Sequence, residues 1–81
     1  MPQLTVRYFA AAKAATGVDS EIISATTVQD AITAICSRHG DQLSAVVTAC
    51  SFLLDGLTVH DTALPLADDA ELDVLPPFAG G

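Results

Sequence analysis

Val28, Ala31, Ile32, Ile35 and Cys36 stand at i, i+3, i+4, i+7 and i+8, so the clearest helix in this chain carries its apolar residues on one stripe. Such a stripe must be buried, which predicts a helix lying across a sheet. Both ends are marked. Thr27 with Asp30 has the spacing of a capping arrangement, Arg38 and His39 fall in the last turn where the helix dipole favours cations, and Gly40 can stop the helix.

Short strands flank that helix in sequence. Leu4, Val6 and Tyr8 alternate with Thr5 and Arg7, the period of a strand with one buried face, and Phe9 extends the pattern to about residues 3 to 9. Ala10 to Thr16 is built on the best helix former, with Gly17 placed to cap it. Glu21 to Ser24 reads as a brief second strand. Leu43 to Ala49 suits either a short helix or an extended connection, with the balance toward helix. Ser51–Leu54, Asp55-Gly56 and Leu57–Val59 read as a hairpin, because Asp-Gly tolerates positive φ. Leu64-Pro65-Leu66 is a connection, Asp68-Asp69-Ala70 a turn, and Glu71 to Leu75 a last strand. Pro76 and Pro77 stop that strand because neither donates a backbone hydrogen bond. The order predicts one α+β domain, a mixed sheet with helices on one face.

With 81 residues there is room for one core, and about half the residues are apolar, which argues against wholesale disorder. Ten acidic against three basic residues leave a net charge of -7, which repels nucleic acid and anionic membranes. The same charge either steers the domain to a basic partner or keeps an apolar-rich chain soluble. No apolar run approaches the roughly 20 residues that span a bilayer, and the first residues lack the character of a signal peptide, so the expectation is a cytoplasmic protein.

Groups for conventional catalysis are few. Cys36 and Cys50 lack the Cys-x-x-Cys spacing of a redox or zinc motif and read as buried thiols, while His39 and His60 read as surface residues. Asp68 and Asp69 fall short of the oxygens a calcium ion needs, so no metal site is expected. The end of the chain is different. After an apolar strand come Pro76, Pro77, Phe78, Ala79, Gly80 and Gly81. Two prolines stiffen the exit, Phe78 can anchor in an apolar pocket, and two residues without side chains can pass a narrow channel. The Gly81 carboxylate is an anion that resists nucleophilic attack until activated. A chain end that merely finishes in two glycines is the plain alternative.

Pro-Pro-Phe-Ala-Gly-Gly, together with Tyr8-Phe9-Ala10, Thr16-Gly17, Thr27-Val28, Leu64-Pro65-Leu66 and the acidic turn before Glu71, resembles the MoaD/ThiS family of ubiquitin-like sulfur carriers. Within that family the likeness is to the small subunit of molybdopterin synthase. The resemblance implies a ubiquitin-like β-grasp domain over residues 1–75 and a flexible sulfur-carrying tail over 76–81. It implies no bound cofactor; ATP would be used by an E1-like adenylating partner acting on Gly81, and a sulfurtransferase would convert the adenylate to a thiocarboxylate. The tail, Pro76 to Gly80 leading to Gly81, would then insert into the synthase large subunit, in a heterotetramer, to supply the dithiolene sulfur of molybdopterin. The family's docking surface maps onto Phe9, Val59 and Leu75, and its basic position in the first helix onto Lys13. Lys13 in place of arginine, Ala14 in place of an acidic residue and Phe78 in place of a smaller branched residue depart from the family pattern. A carrier for thiamine, cysteine or tRNA thiolation, a modifier of protein lysines, and a plain interaction module are the competing readings.

Overall fold

The computed structural model describes residues 1–77. Five strands and three helices follow one another along it: β1 (Gln3–Tyr8), α1 (Ala10–Thr16), β2 (Ser20–Ser24), α2 (Val28–His39), α3 (Asp41–Val47), β3 (Ser51–Leu54), β4 (Leu57–Thr58) and β5 (Ala70–Leu75). The strands form one sheet in the order β2-β1-β5-β3-β4. β1 and β5 run parallel at its centre, and the other neighbours are antiparallel. A mixed sheet with the helices packed on one face is the α+β, β-grasp arrangement.

Alternation decides which residues meet the helices. Leu4, Val6 and Tyr8 from β1, Ala70, Leu72 and Val74 from β5, and Ile23 from β2 are buried, and they pack with Val28, Ala31 and Ile35 of α2 and Leu43 of α3. The α2 stripe therefore lies where its spacing predicts. Its first turn is satisfied twice over. The Thr27 hydroxyl accepts from the Asp30 amide at 3.1 Å, and the long connection before β5 brings up Leu64 and Thr62 carbonyls to accept from Val28 and Gln29 at 3.1 and 2.8 Å. The expected loop Leu64-Pro65-Leu66 is thus part of the packing; Pro65 bridges Thr27, and Leu66 is buried.

The ambiguous stretch before β3 is helical. Gly40, at φ 78, turns the chain from α2 into α3, and Leu43 is completely buried under that turn. At the hairpin, Asp55 and Gly56 both take positive φ, 49 and 85, as a two-residue connection of matching twist requires. The strand bounds differ from the sequence expectation at their ends. β1 stops at Tyr8, because the chain turns into α1 at Ala10, and β4 is only two residues long. Cys36 and Cys50 are half-buried, and burial pushes the Cys50 thiol up, with Cys36 adding to the effect. No described helix is long and apolar enough to cross a membrane.

His39 departs from the sequence expectation most clearly. Glu21 pairs with Val6 and so points to the helix face, where the last turn of α2 passes over it. His39 Nε2 meets the Glu21 carboxylate, its ring stands edge-on to Tyr8 at 5.8 Å, and only 15% of its side chain is exposed. Tyr8 donates its hydroxyl to the same carboxylate at 2.5 Å, and Arg38 donates from the other side at 2.7 Å. Burial, then Glu21, pushes the Tyr8 phenol far above its ordinary range, so it stays a donor. Burial alone would raise Glu21, but the hydrogen bonds from Tyr8, His39 and Arg38 outweigh it and hold the carboxyl below the usual range. His60 is exposed, as expected.

Candidate functional site at the exit of the last strand

β5 is a central strand, so the chain leaving it starts from the most firmly held part of the sheet. Tyr8 pairs with Val74, Ser51 pairs with Leu75, and the Phe9 amide donates to the Val74 carbonyl at 3.3 Å. Pro76 follows and ends the ladder, since it has no N–H to give. Pro76 is buried and Pro77 is exposed. Phe78, Ala79, Gly80 and Gly81, which carry the expected tail insertion and carboxylate chemistry, lie outside the described residues.

Among the described residues no element covers the sheet face opposite the helices, which is bare in that sense. Alternation puts Thr5, Arg7 and Phe9 there from β1 and its continuation, Glu71, Asp73 and Leu75 from β5, and Leu53 from β3, paired with Asp73. Arg7 spans this face. Its Nε and Nη2 donate to the two Asp73 carboxylate oxygens at 2.7 and 3.0 Å, Glu71 lies 3.5 Å away, and the guanidinium stands 5.4 Å from the Phe9 ring centre. The hydrogen bond to Asp73 raises the Arg7 pKa further, so the group is permanently cationic.

Of the docking residues expected from the sequence, Phe9 and Leu75 come together here. Both are half-buried, and neither is packed against the core on the other side. Val59 is not with them. Its amide donates to the Phe52 carbonyl at 2.9 Å, so it stands opposite a residue of the helix face, and it packs with Phe52 and Leu54 against the core. Leu53 takes its place on the bare face. The alternation within Ser51-Phe52-Leu53-Leu54 carried that signal, once Phe52 is known to face Val74. Lys13 lies on α1, exposed and ion-paired with Asp19 at 2.6 Å. Among the described residues there is no pocket and no group of three metal-ligating side chains.

A parallel central strand pair, one long helix across a mixed sheet and a two-proline exit beside a half-apolar bare face define a ubiquitin-like β-grasp domain. The sequence profile of the ThiS family matches residues 6–81. The chain belongs to that family of ubiquitin-like sulfur carriers. Its fold is similar to small archaeal modifier protein 1 of Methanosarcina acetivorans, with a TM-score of 0.87 at 21% identity, over 100% of this chain and 98% of that one. It is also similar to a Pyrococcus furiosus protein named for subunit 1 of a molybdopterin converting factor, with a TM-score of 0.85 at 26% identity, over 95% and 99%. Subunit 1 in the complex of subunits 1 and 2 of molybdopterin-converting factor from Helicobacter pylori aligns with a TM-score of 0.75 at 23% identity, over 98% and 99%. No curated protein matches the chain.

Proposed function

We propose that this chain is the sulfur-carrier small subunit of a molybdopterin synthase. The observation that carries the reading is a ThiS-family domain whose central strand β5 ends at Leu75 and is followed in sequence by Pro76-Pro77-Phe78-Ala79-Gly80-Gly81. An E1-like enzyme joins the Gly81 carboxylate to the AMP moiety of ATP, releasing pyrophosphate. The terminal sulfur of a persulfide on a sulfurtransferase attacks the acyl carbon and expels AMP, and a second thiol reduces the resulting acyl disulfide, becoming a disulfide itself and freeing a thiocarboxylate, a better nucleophile than the carboxylate it replaces. The tail then enters the large subunit, where the thiocarboxylate sulfur bonds to a substrate carbon and water cleaves the acyl–sulfur bond, leaving the sulfur in the dithiolene and restoring the Gly81 carboxylate. Support for the large-subunit partner comes from the Helicobacter pylori relative, which is found in complex with its subunit 2.

Incubation with the E1-like enzyme, ATP and a sulfur donor tests this by intact mass. Sulfur-for-oxygen exchange at the C-terminus, lost when one residue is added after Gly81 while the fold persists, is the expected result. An isopeptide adduct on protein lysines would make the chain a modifier, and no change would leave a binding module. Capture of a thiazole synthase or a cysteine synthase in place of a molybdopterin synthase large subunit would move the carrier to another pathway.

A further inference from the structure

We infer that Pro76 is a positioning residue that belongs to the folded body and sets the direction in which the chain leaves the sheet, so that the segment able to enter a partner begins at Pro77. The functional half of this inference rests on the carrier reading; the structural half does not.

The two prolines look alike in sequence and differ in place, Pro76 being buried and Pro77 exposed. A proline ring fixes its own φ, and a residue before proline is confined to extended conformations. Leu75 and Pro76 each precede a proline, so the chain has little freedom between the last ladder pair, Ser51 with Leu75, and the surface. Burial removes what is left.

The surroundings of Pro76 are also constrained. Continuing the register of Tyr8 with Val74 brings Pro76 level with Ala10, where β1 turns into α1. Ala10 takes φ 50, an uncommon conformation for a residue with a Cβ, which persists only where neighbouring structure imposes it. The intervening Phe9 is tied three ways: its carbonyl accepts from the Ala12 and Lys13 amides at 3.0 and 3.4 Å, and its amide donates to Val74. The corner that faces the strand exit is thus a rigid one.

The consequence for transfer is geometric. Five residues, Pro77 to Gly81, extend at most about 17 Å. A carboxylate at the end of so short an arm must start from a fixed point and heading to arrive at a reactive atom, and Pro76 supplies both.

The test compares full-length Pro76→Gly, Pro76→Ala and Pro77→Gly with the unmodified chain. The Phe9 amide, bonded to the carbonyl two residues before Pro76, reports the corner by hydrogen exchange. We expect its protection to fall about tenfold in Pro76→Gly, less in Pro76→Ala, and by less than about twofold in Pro77→Gly. In activation by the E1-like enzyme and ATP, Pro76→Gly lowers kcat about tenfold while KM, set by the unchanged docking surface, stays within about twofold. Should Pro76→Gly fail to fold, Pro76→Ala carries the same two measurements. Equal exchange in the Pro76 and Pro77 variants overturns the anchor, and an unchanged kcat in a folded Pro76 variant overturns its role in transfer. Failure of the unmodified chain to be activated overturns the carrier reading, while the exchange result still decides the anchor.

Discussion

Each face of the sheet encloses one carboxylate, and the two are enclosed in different ways. On the helix face Glu21, with 14% of its side chain exposed, is gripped by Tyr8 of β1 and by Arg38 and His39 of α2. On the bare face Asp73, with 10% exposed, is shielded as closely although no described helix covers it, with Arg7 lying across it and over the Phe9 ring. The Glu21 network joins three elements and pins the edge strand β2 to the end of α2. The Arg7–Asp73 pair joins only two adjacent strands and leaves the outer side of Arg7 open. Enclosure by packed elements is a stability device, whereas enclosure by one long side chain can be rearranged by a partner.

Substitutions of one chemical kind on the two faces give the largest test. Leu72 is completely buried on the helix face, and Leu53, paired beside Asp73, is half-buried on the other. Leu72→Ala should cost about 3 kcal/mol, the transfer of a buried leucine plus its cavity, read from urea unfolding. Leu53→Ala should cost about 1 kcal/mol or less and weaken capture of a partner instead. Equal losses of stability would break the comparison.

How much of this was legible beforehand follows the same division. The helix face was readable, because Leu4, Val6 and Tyr8 recur at the strand period and Val28, Ala31 and Ile35 at the helix period, and burial of both stripes leaves one way to join them. The bare face was less so. Val59 and Leu53 are equivalent by composition, and only the pairing of Phe52 with Val74, a contact between distant segments, decides which of them faces out. The Glu21 network was missed for a related reason. A histidine in the last turn of a helix reads as a dipole partner at the surface, and nothing local shows that β2 places a carboxylate beneath it. Pro76 and Pro77 are indistinguishable until burial separates them.

Acid should act through the helix face. The Glu21 carboxyl is held below its ordinary value in the folded protein, so between the two values the unfolded chain binds the extra proton. Its contribution is therefore complete above about pH 5 and is lost as pH falls through the unfolded value, near 4.3, and then through the lower folded one. Glu21→Gln should cost on the order of 2 kcal/mol at neutral pH, where it weakens hydrogen bonds to a charged acceptor, and should flatten the acid limb of stability against pH. An acid limb as steep as that of the unmodified protein would assign it to other carboxylates.

The smallest expected change in stability is on the bare face, and it separates the faces most sharply. Arg7→Lys keeps the charge and loses the planar fork that holds both Asp73 oxygens, together with the stacking over Phe9. Because Arg7 is open to water, the urea midpoint should hardly move. Capture of the proposed partners should weaken by no more than about fivefold, since a solvent-exposed ion pair contributes little to any equilibrium it enters. That loss should shrink as salt is added, because screening already weakens the interaction in the unmodified chain. A drop in the urea midpoint comparable to that of Glu21→Gln would show that the Arg7–Asp73 pair holds the sheet together, and the contrast between the two faces would then fail.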